Sequence, residues 1–177
     1  MVSVVTGVTV RIWLISEIDF MLKIRLILVG KSREKYCQLA EQEFIQRIRK
    51  YAGLELVIVR GEKINSPKSA MQVQKIEADR IEKQLEKGEY KVVLVKEGKQ
   101  VCSEEFAQFL QTLSLKGVSR ICFIVGGPLG LSDEFIQRCD FQLSFSKMTF
   151  THEMIRILLL EQIYRAFTIL NQEKYHK

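Results

Sequence analysis

The sequence predicts an α/β protein with a mostly parallel sheet and helices on both faces. Five short apolar runs alternate with segments in which apolar residues recur every three to four positions, as strands alternating with helices require. The third run, 90–95, is nearly continuous, which is typical of a parallel strand buried on both faces. The 177 residues are 47% hydrophobic and 27% charged, which fits one globular domain with a real core.

Two strand–helix pairs open the predicted domain. The first strand, 23–29, is rich in Ile, Leu and Val and ends at Gly30. Ser32 is placed to cap an amphipathic helix over about 33–51, whose apolar residues recur every four positions.

The second pair comprises a strand over 54–59 and a helix over about 69–87. Ser69 or Ser66 is placed to cap this helix, and Gly88 is a natural stop for it.

The middle of the chain adds two more strands and a helix. The strand over 90–95 is followed by a predicted turn over 96–99, and Ser103 opens a helix over about 103–115. The fourth strand spans 120–125.

The last third of the chain combines a glycine-rich turn with an unusually apolar helix. A short helix over 132–139 and a strand over 141–145 lead into a long helix over about 152–171. Because this helix is apolar almost all round, it must be covered on every side. One small domain covers only part of it, so we expect a homodimer through this helix.

Residues 1–20 are interpreted as an extension or a misassigned start outside the core. They are apolar but interrupted by three charged residues, and they lack the charged start and cleavage site of a signal peptide. Met21 directly precedes the first strand, so we expect a single domain over 21–177.

The net charge and the cysteine content limit the kinds of partner and metal site that we expect. The formal charge of +6 is compatible with a polyanionic partner but does not require one. The four cysteines form no CxxC pair and only two histidines occur, so we expect no metal site. The cysteines are interpreted as small buried hydrophobes in a reducing compartment, and we expect a cytoplasmic protein with no membrane partner.

Three predicted loops fall at the carboxyl edge of the sheet, around Gly98, over 126–130 and over 146–149. Ligands of such sheets bind outside the carboxyl ends of the strands. The turn 126–130, Gly-Gly-Pro-Leu-Gly, is neither a P-loop nor a Rossmann fingerprint. Its adjacent glycines favour close approach of the backbone to a ligand, and a tight strand-to-helix turn is the structural alternative.

The segment 146–151 offers hydroxyls and amides that suit an adenosine or amino-acid group. Taken alone, the same residues are better explained by an ordinary loop with Thr149 or Thr151 as the helix cap. His152 is suited either to orient a ligand or to a capping role. No Ser-His-Asp set or carboxylate pair stands out, so chemistry that depends mainly on positioning fits best.

Two arginines interrupt the long helix. Glu161 and Arg165 are spaced i,i+4 and are expected to pair. Arg156 has no acid at i+4, which makes it the candidate functional arginine.

Three stretches resemble the RlmH (YbeA-like) family of SPOUT RNA methyltransferases. They are GGPLGLS at 126–132, LSFSKMTFTHEMIRILLLEQIYRAFTI at 143–169, and the terminal YHK at 175–177. The resemblance covers about 21–177, and its C-terminal motifs are the specific part.

This resemblance implies an α/β fold with a SPOUT-type C-terminal trefoil knot that holds S-adenosyl-L-methionine, and a homodimer. The implied activity is methylation of N3 of a pseudouridine in 23S ribosomal RNA of the large subunit, on the assembled 70S ribosome. The alternatives are a SPOUT-fold methyltransferase for another RNA or a protein, and a non-catalytic ribosome-associated nucleotide-binding module.

The matching motifs also imply site residues. The implied cofactor-binding residues are Leu94, Gly126, Gly127, Phe145, Ser146, Lys147, Met148, Thr149 and Phe150. The implied catalytic residues, expected to face the RNA across the dimer, are Arg156, Tyr175 and His176. Arg156 would stabilise the anion of the target base and His176 would accept its proton. Thr151 stands where the family usually has proline, from which we expect a small effect on loop rigidity.

Overall fold

The structure, a computed structural model, describes residues 22–63 and 68–175. Its strands and helices follow the predicted order. They are β1 Lys23–Val29, α1 Lys35–Ile48, β2 Gly53–Val59, α2 Ala70–Glu82, β3 Tyr90–Gln100, α3 Ser103–Leu115, β4 Arg120–Val125, α4 Asp133–Gln137, β5 Phe141–Ser144 and α5 His152–Leu170. The extension over 1–20 lies outside the described residues, so the domain boundary stays a prediction.

One parallel sheet organises the described chain, with the strand order β2-β1-β4-β3-β5. Successive residues of a strand point to opposite faces. Leu26 and Phe123 therefore pack with α1, α3 and α5 on one face, while Ile27 and Ile124 pack with α2 and α4 on the other. All four side chains are fully buried. The predicted fold class, a parallel sheet with helices on both faces, is confirmed.

The predicted turn over 96–99 is wrong, because β3 continues to Gln100. The register with β5 shifts between Leu94 and Lys99, so both residues pair with Leu143. The chain loops out between them and then returns to the same strand. Gly98 lies against β5 so closely that a Cβ there would sit 2.7 Å from the carbonyl carbon of Leu143.

The predicted cap of α1 is also wrong. α1 begins at Lys35 and its N-cap residue makes no side-chain hydrogen bond. The backbone amides of Arg33 and Glu34 instead donate to Glu153 Oε2 of α5, over 3.0 and 3.2 Å. Ser32 Oγ donates to Glu41 within α1. A carboxylate is a stronger acceptor for helix N-terminal amides than a hydroxyl, and it also complements the helix dipole.

Two other predicted caps are confirmed. Ser69 accepts from the amide of Gln72, whose side chain returns the bond in a capping box. Thr151 Oγ1 accepts from the amide of Met154 over 3.2 Å and so starts α5. The residue that departs from the family pattern therefore serves as the helix cap.

α5 lies on the sheet between α1 and α3. Phe44 of α1 packs against Tyr164, with ring centroids 6.3 Å apart. Ser103 of α3 donates to Gln162 over 2.8 Å. The implied trefoil knot stays a prediction. Among the described residues, no helix is long and apolar enough to cross a membrane.

Candidate functional site

A cleft of about 380 Å³ opens at the carboxyl edge of the sheet. It is lined by 94–97 of β3, by 125–131 at the end of β4, by residues of 144–150 after β5, and by the start of α5. The three loops that the sequence placed at this edge thus meet around one cleft, although Gly98 itself is not part of the lining.

The glycine turn after β4 is a tight turn that also forms one wall. The Gly130 amide donates to Gly127 O over 2.9 Å, and Gly130 adopts φ +75°, a left-handed conformation that glycine tolerates without strain. A Cβ on Gly126 would lie 2.8 Å from Leu131 Cγ. Packing within the protein therefore requires glycine at this position, as expected for a tight strand-to-helix turn. The backbone of the same turn also faces the cleft.

The segment after β5 is held by its own hydroxyls. Ser144 Oγ donates to Lys96 O over 2.9 Å, which ties the end of β5 to the looped-out part of β3. Ser146 Oγ accepts from the Met148 amide over 2.9 Å. Beyond them, Met148 is 74% exposed and Phe150 39% exposed. Two apolar side chains therefore stand at the mouth of the cleft, where a ligand would bury them.

The implied cofactor-binding residues all line this cleft except Lys147, which is exposed. Their role in binding stays a prediction. Lys96, Glu97 and Asp133 also line the cleft but were not predicted as site residues, whereas His152, a candidate to orient a ligand, does line it. Lys96 and Glu97 belong to the predicted turn at this edge, and Asp133 lies three residues after the glycine turn, so proximity to these segments was the signal that could have found them.

His152 lies at the wall formed by the first turn of α5. Burial lowers the pKa of this imidazole, and the positive charges of Arg156 and Arg33 lower it further, against the opposing effect of Glu153. The neutral form is therefore favoured at neutral pH, and it can donate or accept one hydrogen bond in the cleft.

Arg156 does not face a surface, contrary to what the resemblance implied. Its side chain is fully buried, and its guanidinium donates to Val29 O and, over 3.3 Å, to Ser32 Oγ. Burial lowers its pKa, while Glu41 and Glu153 act in the opposite direction. The charge of Glu41 in α1 favours the guanidinium, and the hydrogen bond to Val29 O fastens α5 to the carboxyl end of β1.

The C-terminal tail folds back on the outer side of α5. Tyr175 Oη lies 3.2 Å from Glu161 Oε1, and its ring packs edge-on against Tyr164 with centroids 4.7 Å apart. The predicted Glu161–Arg165 pair is confirmed, with 2.9 Å between Oε1 and Nε. Twelve residues separate His152 from Tyr164, or about 18 Å along a helix. Tyr175 therefore does not reach the cleft of its own chain in this structure, and His176 lies outside the described residues.

Across the described ranges, no group of three or more His, Cys, Asp or Glu side chains is arranged to hold a metal ion.

Comparison with known proteins gives a consistent family. The sequence model of a family described as "Predicted SPOUT methyltransferase" matches residues 22–176. The chain is 43% identical over 159 residues to the "Ribosomal RNA large subunit methyltransferase H" of Clostridioides difficile, covering 88% of this chain and 100% of that protein. The protein of the same name from Enterococcus faecalis is 41% identical over 159 residues, with the same coverage of both chains. A solved structure of a probable methylase family protein from Haemophilus influenzae aligns with a TM-score of 0.49 and 15% identity, over 89% of this chain and 71% of that one.

Proposed function

The chain belongs to the SPOUT methyltransferase family, and from this premise we propose that it methylates ribosomal RNA of the large subunit with S-adenosylmethionine as the donor. The observation that carries the proposal is the cleft, where the glycine turn and the segment after β5 meet. The target we propose is N3 of a pseudouridine in 23S ribosomal RNA, presented by the assembled ribosome.

The cleft fits such a donor in size and chemistry. Its volume of about 380 Å³ lies at the lower end of the range for small-molecule sites, about 300 to 1,000 Å³. Leu94, Val125 and Ile155 supply apolar walls, Ser146 and Thr149 supply hydroxyls, and the glycine turn brings bare backbone to the ligand. When bound, S-adenosylmethionine supplies a methyl group on a positively charged sulfur, already activated for transfer.

The task left to the protein is orientation and exclusion of water. The charged or titratable side chains at the cleft are Lys96, Glu97, Asp133 and His152 among the described residues. None of them forms a nucleophile–base pair, which agrees with a reaction that needs no covalent intermediate on the protein. The proton on N3 must leave, and His176 remains the proposed acceptor.

Exposed cations near the cleft favour a polyanionic substrate. Lys147 is exposed in the segment after β5, and Lys31 and Arg33 are exposed in the loop that precedes α1. Arg33 is close enough to His152 to lower its pKa. Contacts between such cations and the phosphates of RNA make binding salt-dependent.

We also propose a homodimer through α5 and the adjacent side of α1. Met154, Ile157 and Leu158 of α5 are only half-buried in the single chain, and Tyr36 and Leu39 of α1 are 60% and 58% exposed. A partner on this surface would bury the apolar side chains. It would also let the tail of one chain act at the cleft of the other, since the tail does not reach its own.

Leu39→Glu is expected to shift the dimer toward monomers. A buried, unpaired carboxylate at the interface should raise the dissociation constant by at least about tenfold. Leu115→Glu, a matched change at a leucine of α3 that is 78% exposed, should leave the mass unchanged. Sedimentation velocity at micromolar concentration reads out both. A wild-type chain that sediments as a monomer would refute the proposed dimer.

Isothermal titration calorimetry with S-adenosylmethionine tests the proposed activity at its first step. We expect binding of the donor in a ratio of one to each chain, with adenosine alone binding more weakly. Absence of any binding would leave the non-catalytic ribosome-associated module as the better interpretation.

A further inference from the structure

Glu77 of α2 is a buried carboxylate without an assigned role. It is 1% exposed, and its Oε1 accepts the amide hydrogen of Glu62 over 2.9 Å. Its other oxygen, Oε2, is buried and has no hydrogen-bond partner among residues 22–63 and 68–175. Burial raises the pKa of this carboxyl and the negative charge of Glu62 raises it further, whereas the Glu62 amide and the charge of Arg80 favour the ionised form. An orphaned buried oxygen of this kind calls for a physical explanation.

The orphaned oxygen lies directly behind the cleft wall. An ideal Cβ on Gly127 would be 2.7 Å from Glu77 Oε2, and Gly127 itself lines the cleft. One residue without a side chain therefore separates the carboxylate from the cleft. Gln74, one turn earlier on α2, donates to Leu129 O over 2.6 Å and so holds the glycine turn against the helix. The hydrogen bond from Gln74 to Leu129 and the close approach of Glu77 to Gly127 together fix the spacing between the carboxylate and the cleft.

The cations near Glu77 are engaged elsewhere. Arg80 donates to Glu62 Oε2 and to Arg60 O, each over 2.7 Å, and Lys68 pairs with Glu62 Oε1 over 2.7 Å. Arg80 and Lys68 therefore form their close ion pairs with Glu62. The rim charges of the cleft, Lys96, Glu97 and Asp133, are exposed to solvent and screened by it. The charge of Glu77 acts through protein, where electrostatic interactions are several times stronger than in water.

We propose that Glu77 determines selectivity for the charged state of the ligand, favouring the positively charged methyl donor over its neutral demethylated product. This inference rests on the proposed function. S-Adenosylmethionine and S-adenosylhomocysteine share every recognition group but differ in one methyl and one positive charge. Hydrogen bonds and apolar contacts alone discriminate poorly between the two. In its ionised form, Glu77 places a negative charge behind Gly127 that stabilises the donor and not the product, which shifts the binding equilibrium from product toward donor.

The test compares the affinities of both ligands for Glu77→Gln and for the wild-type chain by calorimetry. Glutamine keeps the size of the side chain and an acceptor for the Glu62 amide, and it replaces the charge by a neutral amide, so the fold should be retained. We expect the affinity for S-adenosylmethionine to fall about three- to tenfold, and that for S-adenosylhomocysteine to change less than about twofold. Asp79→Asn is the matched control, because it removes one exposed charge from the same helix and should leave the ratio of the two affinities unchanged.

The outcomes separate this inference from the function on which it rests. If the wild-type chain binds neither ligand, the proposed function fails and the inference with it. If the wild-type chain binds both and Glu77→Gln weakens them equally, Glu77 has only a structural role and the inference alone is overturned. An unchanged ratio with unchanged affinities overturns it as well. Melting curves of the variants show whether any common loss reflects unfolding.

Discussion

Gly98→Ala is expected to be among the most destabilising single changes in this domain. The added Cβ would lie 2.7 Å from Leu143 C and 2.8 Å from both C and O of Gln142. All three atoms belong to the backbone of β5, which is hydrogen-bonded to β3 and cannot move without breaking the ladder. Overpacking against a fixed backbone should cost about 3 kcal/mol, or about 6 to 12 °C in melting temperature for a domain of this size.

The matched control for this change is Gly53→Ala in β2. A Cβ on Gly53 meets only Lys23 Cγ, at an ordinary contact distance of 3.7 Å. Its melting temperature should stay within about 2 °C of wild type. Because Lys96 and Glu97 line the cleft beside Gly98, Gly98→Ala should also weaken the donor affinity. A Gly98→Ala protein that melts like the control would show that β3 and β5 do not approach each other in this way.

Arg156→Met is expected to destabilise the domain by about 2 to 4 kcal/mol. Methionine fills much of the space, but Val29 O loses its charged donor and the buried Glu41 and Glu153 lose a compensating positive charge. Arg156→Lys retains the charge without the fork geometry, so its loss should be about half as large. Chemical denaturation reads out both variants.

The control for Arg156 is Arg138→Met. Arg138 pairs with Glu82 at the surface, with 53% of its side chain exposed, so its loss should shift the melting temperature by less than about 2 °C. A methylation assay of the same variants, compared with their stability, decides between two roles for Arg156. A buried fastener loses stability and methylation together. Loss of methylation with unchanged stability would restore Arg156 as a residue that contacts the RNA.

The elements were predictable because their signals are local. The strand Arg120–Val125 and the helix Ser103–Leu115 have the predicted bounds, since an unbroken apolar run and a periodic apolar stripe specify each without reference to the rest of the chain. The same holds for the Thr151 and Ser69 caps, whose partners lie three residues away.

The wrong predictions share one cause, namely contacts between residues that lie far apart in the sequence. The polar stretch after Val95 reads as a turn, and only its second pairing with β5, more than forty residues later, makes it a strand. Glu153, 120 residues away in sequence, binds the amides of Arg33 and Glu34 that precede α1, and Ser32 bonds to Glu41 instead of capping the helix. Arg156 reads as unpaired along its own helix because its partners lie on β1, in the following loop and on α1. Such contacts leave no periodic trace in the chain.

The site was predictable in position but not in detail. Three loops at one edge of a parallel sheet indicated a cleft, and the motifs of the last third indicated which residues line it. The carboxylate behind Gly127 was not predictable, because Glu77 reads as one of several acids on an amphipathic helix. Only the packing of α2 against the glycine turn distinguishes it.

Transfer of a labelled methyl group to ribosomes tests the proposed methyltransferase activity directly. Ribosomes from cells that lack this gene would be incubated with the protein and methyl-labelled S-adenosylmethionine, as intact 70S particles and as free ribosomal RNA. We expect stoichiometric label in large-subunit RNA of the intact particle, at a pseudouridine, and far less in free RNA. Absence of label in ribosomal RNA of either preparation, from a protein that binds the donor, would contradict it.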